Sequence, residues 1–249
     1  PQQGSFTNLR MGGAWQWATP SSQHELVATA RARQASAGDA DLAQADWRYT
    51  YAVPTRQNRW EWSAGSSHML FGGSPLYSVG DLRARVVLGN AGCRPSAEAG
   101  LQKLNFHGQS VMNGIETSLF AGYACQFSTE SQLRLEGGLI NNNAAYANRP
   151  GGDRSGWNLR LNWQVSLLGG ELASQLGYAH LDDDQGYSAL LNNGALRQVG
   201  SYYANIRYQR LLTGGLSVLF KVSHQRQHSN LQPFENRGTA AEAGLALNF

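Results

Sequence analysis

The residues best suited to covalent chemistry lie in the stretch Ser223-His-Gln-Arg-Gln-His-Ser-Asn230. A histidine can act as general base for a serine nucleophile when the two side chains lie within hydrogen-bond reach. His228 and Ser229 are adjacent in the sequence, and neighbouring side chains of a strand point to opposite faces. The same holds for Ser223 and His224. Unless a bulge changes this geometry, the stretch consists of polar residues at a loop rim, and we predict no catalytic residue.

The acidic run Asp182-Asp-Asp184 is the second candidate for chemistry. Carboxylate oxygens in a loop attract divalent cations, but a turn in contact with water has the same composition. We interpret the run as a solvated acidic turn. No Cys/His spacing resembles a zinc site. The sequence therefore predicts neither a metal nor a cofactor.

The chain has two cysteines, Cys93 and Cys125, on either side of a predicted hairpin whose loop is Phe106–Met112. Antiparallel pairing about a centre near residue 109 gives index sums near 218, and the two cysteine indices also add to 218. Regular pairing thus places them opposite each other, where a disulfide is geometrically plausible and an oxidising compartment would keep it. The alternative is a pair of reduced cysteines.

Charged residues of both signs collect on one side of the alternating segments described below, and we predict that this side lines a lumen. The basic residues are Arg31, Arg33, Arg48, Arg83, Arg85, Arg134, Arg160, Arg207 and Lys221, and the acidic ones are Asp46, Glu61, Asp81, Glu98, Glu116, Glu136, Glu171 and Glu242. Such an interior is either filled by salt bridges or wetted, because buried charges need water or close partners. The arginine pairs at 31/33 and 83/85 would suit an anionic or hydroxyl-rich passenger.

These charges lie on segments in which apolar and polar residues alternate with a period of two, the pattern of strands. The clearest is Trp157–Leu167, which alternates without a fault, and the last is Arg237–Phe249. Thirteen such segments are found, approximately at 7–17, 24–35, 42–53, 60–71, 77–88, 95–106, 115–127, 132–139, 157–167, 171–180, 201–210, 216–225 and 237–249. Bacterial barrels have even strand numbers, so one segment is miscounted or a partner strand precedes Pro1. We expect 12 to 14 strands.

Composition limits the class of protein. The chain has 249 residues with a mean hydropathy of -0.41, and no run of about 18 apolar residues is present to form a transmembrane helix. Barrel strands need apolar residues only at alternate positions. The net charge of +3 is spread out, so nothing indicates a nucleic-acid surface. With no signal peptide at its start, the sequence reads as a mature or trimmed chain.

The connections between segments fall into two alternating sets. The set at 18–23, 54–58, 128–131, 168–170 and 212–215 is short, whereas the other set includes long connections at 141–155 and 181–200. Short periplasmic turns and long outer loops are typical of outer-membrane barrels. We predict a single domain, 1–249, that forms an all-β, antiparallel, up-and-down transmembrane β-barrel. A soluble β-sandwich also alternates, but the long charged side chains and the lack of a second apolar face disfavour it.

The carboxyl end, a strand that stops on the aromatic Phe249, resembles the closing strand of outer-membrane β-barrels. Together with Ser229-Asn230, Phe234-Glu-Asn-Arg237 and Gly244-Leu-Ala-Leu-Asn-Phe249, the last 70 residues or so are similar to the carboxy-terminal barrels of tetratricopeptide-linked export proteins. Those families include exopolysaccharide export porins and surface lipoprotein assembly modulators. The resemblance implies a bacterial outer membrane with the carboxyl terminus in the periplasm. It also implies contact with lipid and lipopolysaccharide, and periplasmic export partners or an N-terminal repeat domain outside this chain.

Four functions fit these expectations. The first is a conduit that exports a polymer or polypeptide, either exopolysaccharide or surface lipoprotein, without covalent chemistry. The second is a passive porin for small solutes, and the third a structural or surface-receptor barrel. The fourth is an outer-membrane lipid hydrolase that uses His224 or His228. Such hydrolases place a His and a Ser two residues apart on a strand, and this chain departs from that spacing.

Overall fold

The computed structural model describes residues 6–35, 41–89, 92–212 and 216–247. Its thirteen strands are β1 (Phe6–Ala18), β2 (Gln23–Ala35), β3 (Leu42–Pro54), β4 (Asn58–Phe71), β5 (Ser74–Leu88), β6 (Cys93–Phe106), β7 (Gly114–Ser128), β8 (Ser131–Ala144), β9 (Arg154–Leu167), β10 (Gly170–Gly186), β11 (Leu196–Leu211), β12 (Leu216–Ser229) and β13 (Asn236–Leu247). Within the described ranges, three short 3-10 turns lie at Ser110–Met112, Asn192–Gly194 and Gln232–Phe234. No helix in the described ranges is long and apolar enough to cross a membrane.

The described strands form one sheet, in which each strand is hydrogen-bonded to its neighbours in the sequence from β1 to β13. Neighbouring strands run antiparallel. The prediction of an all-β, antiparallel, up-and-down fold with 12 to 14 strands is confirmed. The described strands belong to one sheet rather than to the two stacked sheets of a sandwich. The membrane location stays a prediction, and Phe249 and residues 213–215 lie outside the described residues.

Local sequence explains the tight turns at one end of the strands. Between β1 and β2, the Thr19 amide donates to the Ser22 carbonyl at 2.8 Å and the Thr19 hydroxyl accepts from the Ser22 amide at 3.1 Å. The turn after β9 has positive φ at Leu168 and Gly169, 53° and 71°, as a two-residue hairpin turn requires. These turns fix the registers, and a register shift of one residue would exchange the two faces of a strand.

Two connections are shorter than the sequence predicts. The predicted loop at 141–155 is partly strand, because β8 extends to Ala144 and β9 begins at Arg154. The predicted loop at 181–200 is also reduced, because β10 extends to Gly186 and β11 begins at Leu196. The loop bounds were wrong because hydrophobic alternation stops there, while backbone pairing continues through polar residues such as Asp182, opposite Gln198.

The chain divides into two compact units. Unit 1 comprises residues 1–88, 98–118 and 142–149, and unit 2 comprises residues 89–97, 119–141 and 150–249. The organisation as a single domain stays a prediction. Each unit is described by itself below.

In both units the apolar face of the strands is the exposed one. In unit 1, Leu9 and Met11 of β1 are 61% and 66% exposed, and in unit 2 Ile206 and Phe220 are both 51% exposed. Among the described residues, the buried apolar side chains are Ala52, Val87, Val199 and Leu231. The buried polar ones are more numerous and comprise Ser22, Ser96, Glu136, Asn142, Arg149, Asp183 and Ser217. This is the reverse of the usual arrangement, in which apolar side chains are buried.

Candidate functional site

The polar face of unit 1 carries a row of alternating charges across β3, β5 and β6. Asp81 Oδ1 accepts from Arg48 Nη2 at 3.0 Å and from Arg83 Nε at 3.2 Å. Arg83 Nη1 also lies 3.5 Å from Glu98 Oε1. The guanidinium-bearing side chains of Arg48 and Arg83 remain 44% and 34% exposed. We call Arg48, Asp81, Arg83 and Glu98 the charge row; its members are paired but remain accessible to water.

A glycine makes the charge row possible. Gly65 of β4 lies opposite both Arg48 and Asp81 in the strand registers, so no side chain separates the two across β4. A Cβ at this position would lie 2.8 Å from Asp81 Oδ2 and 2.9 Å from the Trp47 carbonyl oxygen. The close approach therefore requires glycine at residue 65.

A second polar network lies on β2 and β3 of unit 1. Arg31 Nε donates to Gln44 Oε1 at 2.8 Å, and Gln44 Nε2 donates to Asp46 Oδ1 at 2.6 Å. Asp46 also accepts from the hydroxyl of Thr29 at 3.3 Å. Arg31 is thus linked through an amide to a carboxylate. The predicted residue Arg33 lies two positions further along β2, paired in register with Leu42.

A cavity of about 590 Å³ lies at the turn end of β1 to β4 in unit 1. Its lining residues are Gln16, Trp17, Ala18, Gln23, His24, Glu25, Thr50, Ala52, Arg59 and Glu61. Within this lining, Gln16 Nε2 donates to Glu25 Oε1 at 2.7 Å. Arg59 donates to Glu61 Oε1 at 2.6 Å and to Gln23 Oε1 at 2.7 Å. Amides, carboxylates and one guanidinium offer the donors and acceptors that hydroxyl-rich ligands use.

The cavity contains residues that the sequence analysis missed. Glu61 was predicted as a lumen residue, but Arg59, two positions earlier on the same face of β4, was not. The apolar pattern of β4 becomes recognisable only at Trp60, although the strand begins at Asn58. The signal that could have found Arg59 is its spacing of two from Glu61. Arg85, also predicted, lies directly opposite Glu61 in register.

Unit 1 also contains a buried polar cluster next to the loop at 145–153. Arg149, which is 3% exposed, donates to the side-chain and backbone oxygens of Asn142 at 2.5 and 2.8 Å. Asn142 is in turn hydrogen-bonded to the predicted lumen residue Glu116. The sequence predicts only that Arg149 lies in the long connection at 141–155, because a loop arginine carries no periodic signal.

The charged residues predicted for unit 2 pair on one face. Arg134 Nε donates to Glu136 Oε1 at 2.6 Å, and the Arg160 guanidinium lies 4.1 Å from the centre of the Phe120 ring. Glu136 is only 5% exposed. Two more pairs join Arg207 to Glu171 at 3.1 Å and Lys221 to Glu242 at 3.5 Å. Oppositely charged residues are brought together as the alternation predicts, and their position in a lumen stays a prediction.

The middle residue of the acidic run belongs to a buried cluster in unit 2 instead of a solvated turn. Asp183 is 4% exposed and accepts from Arg197 Nη2 at 2.9 Å, with Arg154 Nε at 3.3 Å. The Arg197 guanidinium lies 4.9 Å from the Tyr187 ring centre and 4.6 Å from that of Phe234. We call these five residues the loop cluster. The interpretation of residue 183 as solvated was wrong, because its arginine partners are distant in sequence.

The His and Ser residues at 223–230 are held by different partners. His224 Nδ1 lies 2.8 Å from the Thr239 hydroxyl, and the Ser229 hydroxyl donates to the Gln198 carbonyl at 2.8 Å. His228 Nδ1 lies 3.8 Å from Glu235 Oε1. None of these contacts joins a histidine to a serine, so they do not favour a hydrolase at this place. In the described ranges, no group of three or more His, Cys, Asp or Glu residues is placed to hold a metal ion.

Cys93 and Cys125 form a disulfide in unit 2. The Gln126 amide donates to the Gly92 carbonyl at 3.1 Å, and the indices of these two residues also add to 218. The hairpin register that the sequence predicts is therefore the one that brings the two cysteines together. The disulfide ties β6 to β7 at the end opposite their connecting loop.

No protein-family model and no curated protein matches this sequence. The function is therefore inferred from the geometry of the two faces of the strands.

Proposed function

We propose that this chain is an outer-membrane β-barrel that acts as a conduit for the export of a polymer or polypeptide through a polar lumen. The single observation that carries the proposal is the difference between the two faces of the strands. The face with exposed Leu, Ile, Trp and Phe side chains is suited to lipid, and the face with paired charges is suited to an aqueous path.

The exposed apolar face supports a lipid environment. Contiguous apolar surface larger than a few hundred Å² is rare on soluble monomers. In unit 1, Trp15 and Trp17 of β1 are 56% and 47% exposed, and Trp17 stacks on His24 at a ring distance of 5.1 Å. Tryptophan and tyrosine concentrate at membrane–water interfaces. In this proposal the surroundings are outer-membrane lipid and lipopolysaccharide, and the carboxyl terminus is periplasmic.

The polar face supports passage of a hydrophilic chain. The arginines of the charge row are accessible, and both signs of charge alternate along it. Mixed charge disfavours strong selection for one ion and suits a hydroxyl-rich polymer such as exopolysaccharide, which needs many donors and acceptors. The cavity beside Arg59 and Glu61 offers such groups. A surface lipoprotein polypeptide is the other passenger class, and periplasmic partners or a repeat domain would deliver either one.

Conductance in planar lipid bilayers tests the conduit. The refolded, disulfide-intact chain is inserted in potassium chloride, and single-channel current is compared with that of the Arg83→Gln/Arg85→Gln double variant. We expect a steady conductance whose cation preference rises in the variant, because two positive charges leave the path. The matched control is Arg226→Gln, which removes an exposed arginine from the face that carries Phe220 and Val222.

The passenger class is tested in the same bilayers. Neutral dextran added to one compartment should produce transient current blockades if hydroxyl-rich chains enter the path. A conductance without blockades would favour a porin for small solutes. Absent conductance, or equal shifts in the double variant and the control, would contradict the proposal and favour a plugged structural or receptor barrel.

A further inference from the structure

A chain of hydrogen bonds in unit 1 links two serines and two histidines that lie outside the stretch 223–230. His68 Nε2 lies 2.9 Å from the Ser66 hydroxyl, and His68 Nδ1 lies 2.9 Å from the Ser78 hydroxyl. The same Ser78 oxygen lies 2.7 Å from His107 Nε2. Ser78 thus has an imidazole on either side, and one of these imidazoles is oriented by a further hydroxyl.

Strand register and a bulge build this arrangement. His68 of β4 lies directly opposite Ser78 of β5, so the two side chains share one face. The register then shifts between Met69 and Leu70, which leaves Leu76 as an extra residue on β5. The His107 amide donates to the carbonyl of Leu76 at 3.1 Å and so places the second histidine beside Ser78. Bulges of this kind often re-aim side chains next to active sites.

The surroundings are apolar and open. Leu70 and Leu76 lie at the bulge and are 39% and 40% exposed. Ser66 and His68 lie on the same face of β4 as Trp60 and Trp62, because all four are even-numbered positions of that strand. The hydrogen-bonded chain therefore lies on the exposed apolar face. A substrate with an acyl chain could lie on this face with its ester group at the serine.

We propose that Ser78 is the nucleophile of an acyl-ester hydrolase site, with His68 as its general base. Nε2–H of neutral His68 donates to the Ser66 hydroxyl, which leaves Nδ1 free to accept the Ser78 proton. His107 Nε2–H lies next to Ser78 and donates to the carbonyl oxygen of the ester, which becomes negative when Ser78 attacks. Ser66 acts as a positioning residue. The substrate class is a carboxylic ester of a membrane lipid.

The reaction balances with water as the only co-reactant. Ser78 Oγ attacks the ester carbonyl carbon while its proton moves to His68. The bond from the carbonyl carbon to the alkoxy oxygen then breaks, and His68 returns the proton to the leaving alcohol. Water attacks the acyl-serine through the same base, releases the carboxylic acid, and restores the Ser78 hydroxyl.

Covalent labelling tests the nucleophile. The refolded full chain in lipid vesicles is treated with a fluorophosphonate probe, and the labelled residue is identified by mass spectrometry. We expect the label on Ser78 in the wild type and no label in Ser78→Ala. The labelling rate of His68→Gln should be at least about 100-fold lower than that of the wild type, since general bases contribute about 10²–10⁴-fold. Hydrolysis of a p-nitrophenyl ester of a medium-length fatty acid should fall in parallel with labelling in the same variants.

Two controls separate chemistry from folding. Ser223→Ala and His224→Gln change a serine and a histidine of β12 that are not joined to each other by the contacts described above, and both should retain wild-type labelling. Each variant must show the electrophoretic shift on heating that distinguishes folded from unfolded barrels. A folded, disulfide-intact chain that leaves Ser78 unlabelled, or equal labelling of wild type and His68→Gln, would overturn the proposal. Bilayer conductance is independent of this outcome.

Discussion

Two arginine–aspartate–arginine triads, one in each unit, use the same chemistry in different surroundings. In the charge row of unit 1, Asp81 lies between Arg48 and Arg83, whose side chains are 44% and 34% exposed. In the loop cluster of unit 2, the Asp183 side chain is 1% exposed, and those of its two arginines are 20% and 12% exposed. The two triads therefore differ more in the exposure of their side chains to water than in the distances between their arginine nitrogen and aspartate oxygen atoms.

This difference predicts different roles. A hydrated ion pair contributes little to stability, because water already solvates both partners and ions screen the attraction. A buried pair is costly to break, since removing one partner leaves the other charge desolvated. The triad of unit 1 is thus suited to tune an aqueous path, and the triad of unit 2 is suited to hold the loops that carry Tyr187 and Phe234.

The largest effect is expected for Asp183→Asn. The change removes the negative charge and leaves Arg154 and Arg197 without their carboxylate, which should lower the free energy of unfolding by about 3–5 kcal/mol. Urea unfolding of the refolded chain in vesicles, followed by tryptophan fluorescence, measures the loss. The control is Asp184→Asn, an exposed neighbour, which should change it by less than about 0.5 kcal/mol. A loss below about 1 kcal/mol for the buried residue would remove the distinction between the triads.

A much smaller effect is expected for Asp81→Asn. Its arginine partners are accessible, and Arg83 retains its contact with Glu98, so the free energy of unfolding should fall by no more than about 1 kcal/mol. The same urea titration measures this loss, which should shrink further at high salt. A loss equal to that at residue 183 would show that the charge row is dry and structural, contrary to the proposed aqueous path.

Much of the fold could be predicted from the sequence, because strand residues alternate with a fixed period. The clearest segment, Trp157–Leu167, lies within β9, and the cysteine pair follows from the register of one hairpin. Strand ends were less predictable. At Asp182 and Asp183 the strand continues without hydrophobic alternation, held by backbone pairing and by the partner Arg154.

The candidate sites were harder to predict than the fold. The charges of the charge row, Arg48 to Glu98, were found because they alternate with apolar residues. The loop cluster was missed because Asp183, Arg197 and Phe234 come from three separate segments of the chain, and only the tertiary structure brings Arg197 to the other two. Ser78 and His107 were missed for a similar reason, since a bulge at Leu76 and a loop contact bring them together. Such contacts depend on tertiary structure and leave no periodic signal.

The most direct test of the account concerns neighbouring residues on opposite faces of one strand. One cysteine is added to the chain at a time, at Leu101 or Gln102 in unit 1 or at Asn205 or Ile206 in unit 2, and a spin label is attached to it. The native disulfide is kept intact, and the refolded chain is placed in lipid vesicles. Their collision rates with oxygen, which concentrates in lipid, and with a water-soluble nickel chelate are measured. We expect labels at residues 101 and 206 to collide mainly with oxygen and labels at residues 102 and 205 to collide mainly with the chelate. Equal access to the chelate at all four positions, or the reverse pattern, would contradict it.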